Sequence, residues 1–382
     1  MLISKKTDFP TSFSGYPFPV MKNRSPFHAL SPSFFSGLLD DPLLFIRVPP
    51  PMRNILVDCG QMDHLAKRTL KSIGSLFISH AHMDHFIGID KFIRSNLVSP
   101  KTIDIFGPPD ISKKLAAKLS GYDWNLVEDF YCSLRVHEID DDFKQIYILR
   151  GADRFKRRFV ETVPDNSPHL YENQFVVAEG VLCDHKIPTL IFKFSEKPMF
   201  LIDEERIRQQ GLIKGSWIHH LKQYISKGQL PVPVLTIERR NSSNPLLCTE
   251  NEATDLYRKI RKEQAVSSIA YLTDIGFTDH NLERVQQLFQ GVTLLVCECT
   301  YLSSHLEKAR RSHHLSTSDL NQLIRKLRPK YLLPMHLSKT YLGNTHLLYE
   351  ELEVPPDCQL IKLPDHVAPE PIIPADTPHL MF

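Results

Sequence analysis

Hydrophobic positions along the chain change period several times. From Leu43 onward, short runs of β-branched and aromatic residues recur: LLFIRV at 43–48, NILVD ending at Asp58 and SLFIS ending at Ser79. Unbroken apolar runs of this length, bounded by polar turn segments, predict strands covered on both faces. After His85 the spacing of Phe86, Ile89, Ile93 and Leu97 becomes helical, and TIDIF (102–106) predicts the next strand. Residues 110–120 read as a helix. QIYILR (145–150), QFVVAEGVLC (174–183), TLIFKF (189–194), IAYLTD (269–274), VTLLVCE (292–298) and KYLLPMH (330–336) read as strands. Helices are predicted near 279–290 and 317–327, the second opened by Thr317 or Ser318. No repeat of fixed period is present.

Three stretches fall outside this alternation. The first 40 residues, rich in Pro, Ser and Phe, predict an irregular lead-in. Residues 196–250, with short amphipathic pieces and the polar run PVPVLTIERRNSSNP, predict an inserted arm. From Val354 the chain is proline-rich and predicts an extended tail. The expected organisation is one α/β domain over 1–365 carrying the arm, then a tail at 366–382.

The composition of this 382-residue chain, 42% hydrophobic and 24% charged, is that of a folded protein able to bury a large core. Forty-six Lys and Arg against 44 Asp and Glu leave a net charge of +2, so no whole-molecule field favours nucleic acid or an anionic membrane. Any basic surface must be local. No run approaches the roughly 18 apolar residues of a membrane span, and Lys5, Lys6, Asp8 and prolines interrupt the start where a signal peptide would be apolar. Seven cysteines without a CxxC pair predict reduced, buried thiols and a cytoplasmic protein. The unusual count is 18 histidines.

Those histidines are not scattered evenly. His80-Ala81-His82-Met83-Asp84-His85 follows the strand ending at Ser79 and leads into a helix, placing four ligand-type side chains within six residues. Such a cluster can hold two adjacent cations, His80 and His82 on one, Asp84 and His85 on the other. His185, Asp274 and His336 each stand just beyond the carboxyl end of a predicted strand, as further ligands would.

The order HxHxDH followed by a distant His, Asp and His resembles the metallo-β-lactamase superfamily over about residues 43–340. The resemblance implies a four-layer αββα sandwich (α/β, or α+β, in class) and a dinuclear site along the common edge of its sheets. It implies His80, His82 and His185 on one metal, Asp84, His85 and His336 on the other, and Asp274 bridging. It also implies that Asp58, in Asp58-Cys59-Gly60, is a supporting acid; a plain turn role explains Asp58 equally well on sequence alone. Mixed imidazole and carboxylate ligation favours Zn²⁺, with Mn²⁺ or Fe also suited. Two such cations would bring a bridging water's pKa near neutrality, and Asp84 is placed to accept its proton.

Three further segments resemble ribonuclease Z, the endonuclease that trims precursor tRNA at its 3′ end. They are Asp184-His185-Lys186-Ile187-Pro188, Cys297-Glu298-Cys299-Thr300 in the place of His-Glu-Ala-Thr, and His314-Leu315-Ser316-Thr317 with His336-Leu337-Ser338 close behind. The resemblance implies that Glu298 holds His314, which donates a proton to the leaving 3′ oxygen. Leu315 is an insertion relative to that pattern, and Cys297 stands where the family has His. Cys297 and Cys299 themselves read as core packing.

Residues 200–222 resemble the segment before the tRNA-gripping arm of that family, with Gly215-Ser216 in place of Gly-Pro. Lys214 and Lys222 would there meet phosphates, unless they are an ordinary solvated face. The run Arg154-Phe155-Lys156-Arg157-Arg158-Phe159 suits base stacking plus phosphate contact, and equally an edge strand protected by charge. The expected substrate is therefore RNA, with no membrane partner and a homodimer left open. The alternatives are a hydrolase of small phosphodiesters such as cyclic nucleotides, and a non-catalytic RNA-binding protein.

Overall fold

The computed structural model describes residues 26–164, 167–227 and 229–367. The first 25 residues of the lead-in and residues 368–382 of the tail lie outside it.

The first sheet takes its eight strands in chain order: β1 (Ser31–Phe34), β2 (Leu44–Arg47), β3 (Asn54–Val57), β4 (Ile73–Phe77), β5 (Thr102–Gly107), β6 (Ser133–Ile139), β7 (Phe143–Arg150) and β8 (Arg157–Pro164). β3 to β6 run parallel, so their connections cross one face, on which α1 (Lys67–Ser72), α2 (Met83–Phe86), α3 (Ile89–Asn96) and α4 (Ile111–Leu119) lie. The chain then enters the second sheet through β9 (His169–Glu172), β10 (Val176–Asp184) and β11 (Pro188–Glu196).

A detour follows: α5 (Glu204–Gln209), α6 (Trp217–Lys227), the hairpin β12 (Leu235–Arg239) with β13 (Ser242–Cys248), and α7 (Glu250–Ile260). The chain returns through β14 (Ser268–Leu272), α8 (Asp279–Phe289), β15 (Leu294–Glu298), α9 (Leu306–Ser312), α10 (Thr317–Leu327), β16 (Tyr331–Met335), α11 (His346–Glu351) and β17 (Gln359–Leu360). The strand order of the second sheet is β17-β16-β15-β14-β11-β10-β9.

Three apolar layers hold this together. Between the sheets, Phe77 stacks on Phe106 at 4.6 Å and meets Phe194 edge-on at 5.0 Å, among Ile55, Val57, Phe192, Tyr271 and Met335. Leu70, Ile89, Phe92, Ile111 and Leu115 seal the first helix layer. Val285, Leu288, Leu320, Leu323 and Leu348 seal the second. The result is the helix, sheet, sheet, helix sandwich. Double coverage explains why β4 and β14 are buried at every position and lack alternation. Among the described residues no helix is long and apolar enough to cross a membrane.

Three details differ from the sequence pattern. The lead-in contains β1, and buried Glu196 receives the backbone N–H groups of His28, Ala29 and Leu30 at 2.9, 2.6 and 2.7 Å, fixing this segment to the sandwich. Residues 354–367 are packed: β17 extends the second sheet, and Leu38 and Leu39 donate to the carbonyls of Pro364 and Asp365. The cap of α10 is Ser316, one residue earlier than expected, because Asp319 closes a capping box with it.

The arm has a core of its own, built from Ile207, Leu212, Trp217, Leu221, Ile237, Ala253 and Ile260. α7 belongs to it, and the neck closes where Asp203 N donates to Ile260 O and Lys262 N to Leu201 O, so the unit runs past residue 250. Its position follows from β11, which is antiparallel to β14. The chain leaves β11 and re-enters β14 at the sheet end opposite Asp274, about 30 Å away by the length of a nine-residue strand.

Candidate metal centre

β3, β4, β10, β14, β15 and β16 all present their carboxyl ends to one edge of the sandwich, the position at which α/β sheets leave a crevice. Asp58, His80, His185, Asp274, Glu298 and His336 sit at or just beyond those ends. Three of them leave their strands through positive φ: Asp58 at 56°, Asp274 at 35° and His336 at 61°. Such conformations are costly for residues with a Cβ and persist where the surroundings hold them, commonly at functional sites.

Ligand atoms of His80, His82, His185 and Asp274 lie within 4.8 Å of one another, as do those of Asp84, His85 and His336. Asp274 stands between the two sets. Its Oδ2 is 3.5 Å from His80 Nε2, 3.7 Å from His185 Nε2 and 3.3 Å from His85 Nε2, and its Oδ1 is 3.4 Å from His336 Nδ1. The structure thus gathers all seven residues in one place.

Neighbouring groups orient the imidazoles. His80 Nδ1 meets Ser79 Oγ at 3.0 Å, His85 Nδ1 donates to Asp58 at 2.7 Å, and His185 Nδ1 donates to the carbonyl of His313 at 2.6 Å. Each bond turns Nε2 toward the cluster. The buried Nε2 atoms of His80 and His85 have no hydrogen-bond partner. An unpartnered buried nitrogen needs a reason, and a cation supplies one. Burial pushes His80 down to about 2 and also lowers His82 and His185, so these three imidazoles are neutral and able to ligate. Burial alone would raise Asp84 and Asp274, but His336 beside both, and His85 beside Asp274, hold them ionised. Neutral His80, His82 and His185 with ionised Asp84 and Asp274 suit a divalent transition metal, which would have to displace the protons that neighbouring carboxylates favour on His85 and His336.

Beside this set, Glu298 accepts the Ile275 N–H on Oε1 at 2.8 Å, and Thr300 Oγ1 and His314 Nδ1 on Oε2 at 2.7 and 3.0 Å. Burial disfavours the His314 imidazolium, yet the Glu298 carboxylate overrides it and carries His314 up to about 9. Leu315, the inserted residue, is buried among the helices of the second layer, and its carbonyl receives Tyr301 N. His314 therefore faces the cluster while its neighbour anchors the turn. Cys297 and Cys299 are buried in that same core.

Three contributors carried no separate signal in the sequence. Thr300 lies 3.3 Å from both His314 Nδ1 and His336 Nδ1. Asn281 accepts Asp184 N and donates to the carbonyls of Asp184 and Gly276, binding the loops of His185 and Asp274 together. Tyr271 donates to Asp58 from the opposite sheet. All are ordinary residue types whose roles depend on contacts distant in sequence.

The basic residues lie elsewhere. Phe155 is buried against Trp124 and unavailable for base stacking. Arg157 stacks on Tyr147 at 3.7 Å and donates to Ser112, while Arg158 pairs with Asp153 at 3.1 Å. β8 is an exposed edge strand carrying exposed Phe159, and its start, preceded by exposed Arg154 and Lys156, is at the sheet end away from the ligands. On the arm, Lys222 is exposed and Lys214 pairs with Glu204.

Comparison with known proteins adds to this geometry. The Beta-lactamase superfamily domain matches residues 53–149, the segment that carries Asp58 and the HxHxDH motif. Ribonuclease Z of Deinococcus radiodurans is 28% identical over 290 residues, 75% of this chain and 83% of that protein. These similarities support a ribonuclease Z-like protein of the metallo-β-lactamase superfamily. Ribonuclease Z of Microcystis aeruginosa is 27% identical over 327 residues, covering 82% of this chain and 86% of that one. Among solved structures, the short form of human tRNase Z aligns over 81% of this chain and 93% of its own, with 16% identity and a TM-score of 0.46. For a ribonuclease Z-like chain, the departures at Cys297 and Leu315 are absorbed by the core and leave Glu298 and His314 in contact.

Proposed function

We propose that the protein is a metal-dependent endoribonuclease that processes the 3′ end of precursor tRNA, with His80, His82 and His185 holding one divalent cation, Asp84, His85 and His336 the other, and Asp274 between them. The observation that carries this reading is the convergence of those seven side chains around Asp274, beside the Glu298–His314 pair. Two zinc ions bound there would supply a water acidic enough to ionise near neutral pH and would offset charge on the phosphoryl oxygens.

The chain's own groups do the rest. Asp84, whose side chain is 40% exposed, is reachable by the attacking water and takes its proton. As the bond from phosphorus to the 3′ oxygen breaks, that oxygen needs a proton. His314 supplies it from Nε2, since Nδ1 is engaged by Glu298. The products are a 3′ hydroxyl on one fragment and a 5′ phosphate on the other. RNA contacts fall to the arm, whose neck leaves the sheet about one strand length from the ligand cluster and which carries Lys214 and Lys222. Within the run 154–159, Phe155 is buried and Arg157 and Arg158 are engaged in internal contacts, while Lys156 and Phe159 stay exposed.

The test is cleavage of precursor tRNA and of bis(p-nitrophenyl) phosphate after chelation and metal add-back. Cleavage of both, restored by Zn²⁺ or Mn²⁺, is expected. Turnover of the small ester alone by metal-loaded protein would replace the tRNA reading with that of a small-phosphodiester hydrolase.

A further inference from the structure

Beneath the ligand cluster the two sheets are tied together through Asp58 and Ser79. Tyr271, fully buried on β14 of the second sheet, donates its phenol hydroxyl to Asp58 Oδ2 at 2.7 Å, across the sandwich from β3. Ser79 O receives the Leu190 N–H of the second sheet at 2.9 Å, a backbone tie at the same level. The Asp58 carboxylate is shared with the first sheet as well: Oδ1 accepts Ser79 N at 2.7 Å, and Oδ2 accepts Ser79 Oγ at 2.9 Å and His85 Nδ1 at 2.7 Å. Asp58 is fully buried, so water cannot replace any of these donors.

The candidate ligands divide between the sheets in a way that makes this bond matter. His80, His82, Asp84 and His85 come from the first sheet; His185, Asp274 and His336 come from the second. Tyr271 and Asp274 are three residues apart on the same strand and its exit. His85 Nε2 and Asp274 Oδ2, one from each sheet, face each other at 3.3 Å. Apolar packing between sheets is non-directional and sets their separation better than their registry. Metal ligation tolerates only about 0.2 Å of error in each distance. A directional bond across the interface, ending on the carboxylate that holds His85, meets that requirement.

We propose that Tyr271 is a positioning residue for the cation site: its hydroxyl sets β14 against β3 and β4, so that Asp274 and His85 meet at one metal. The inference rests on the reading of Asp84, His85, Asp274 and His336 as ligands. It assigns the phenol no contact with substrate or metal.

The experiment is Co²⁺ titration of the full-length metal-free chain, wild type and Tyr271→Phe, read by visible absorption against a competing chelator, with melting of the metal-free proteins measured in parallel. Phenylalanine fills the same space without the hydroxyl. At least one of the two Co²⁺ affinities should fall by about ten-fold or more, with an altered absorption spectrum and little change in metal-free melting. Ser79→Ala, which removes the Oγ donor from the same carboxylate, should weaken binding in the same direction and keeps the inference testable should Tyr271→Phe misfold. Wild-type affinities and spectrum in Tyr271→Phe, with or without a lower melting temperature, would make Tyr271 a packing residue and overturn the proposal. A wild-type chain that takes up no Co²⁺ would refute the ligand reading itself, and this inference with it.

Discussion

Glu298 and His314 meet at 3.0 Å through Oε2 and Nδ1, although sixteen residues and a strand-to-helix crossing separate them. The other oxygen of the same carboxylate holds the backbone of Ile275, next to Asp274. One side chain therefore aligns His314 with Asp274, the residue between the two candidate cations.

That alignment predicts different outcomes for two kinds of variant. His314→Ala should lower kcat on precursor tRNA by about 10²- to 10⁴-fold, the usual worth of a general acid, while both metals stay bound. Single-turnover rates with elemental analysis on the same samples check this. An unchanged rate would remove His314 from the chemistry.

Metal loss should track the ligand sets. His82 is exposed, so His82→Ala leaves the core intact; it should lower the bound metal from two equivalents toward one and abolish turnover. Elemental analysis and melting temperature after chelation and reloading provide the check. Full occupancy in the variant would place the cation elsewhere.

The turn carrying His314 hangs on Asp319. This fully buried carboxylate accepts Arg310 through two bonds, 2.7 and 2.6 Å, and Ser316 N and Oγ at 2.9 and 2.8 Å. Asp319→Asn breaks the ion pair and weakens the cap, at a cost of roughly 2–4 kcal/mol. Denaturant unfolding should show that loss. Because the turn then shifts His314, kcat should fall as well, with metal content unchanged.

The separate core of the arm allows it to be loosened alone. Leu221 is fully buried there, and Leu221→Ala should cost the arm roughly 2–5 kcal/mol. Hydrolysis of bis(p-nitrophenyl) phosphate should persist while precursor tRNA cleavage drops, mostly through KM. Parallel loss of both activities would show that the arm supports the catalytic edge directly.

A pH effect belongs to the junction of the two terminal segments. Asp40 accepts His366 Nδ1 at 2.6 Å and the N–H groups of Val367 and Gly37. Burial by itself would raise its pKa, but these hydrogen bonds lower it below the ordinary value. A carboxylate depressed in the folded state contributes stability above its unfolded pKa of about 4 and loses it as pH falls through the folded value. The difference in melting temperature between wild type and Asp40→Asn should be present at pH 6 and shrink below about pH 4.

Much of this protein was legible along the chain. The HxHxDH cluster needs no tertiary contact to be recognised, because four ligands lie within six residues directly after an apolar strand. His185, Asp274 and His336 stood out because each follows a run with strand character, and parallel strands bring their carboxyl ends to one edge. The helix over 317–327 was readable from its apolar spacing and its Ser, Thr and Asp start.

Local sequence determined the central strands, the helices that follow the apolar spacing and the types of ligand, since periodicity and strand-end position are properties of short segments, while short elements such as β1, β6, β9 and β17 were not legible there. Tertiary structure alone decided which sheet each ligand comes from, which imidazole nitrogen faces inward, and that Tyr271, Asn281 and Thr300 hold the site. It also placed the arm at the far end of β11 and used Phe155 and Arg157 for internal packing. Those outcomes depend on hydrogen bonds and contacts between residues tens to hundreds of positions apart, and the directional bonds that fix a metal site leave no periodic trace in the sequence.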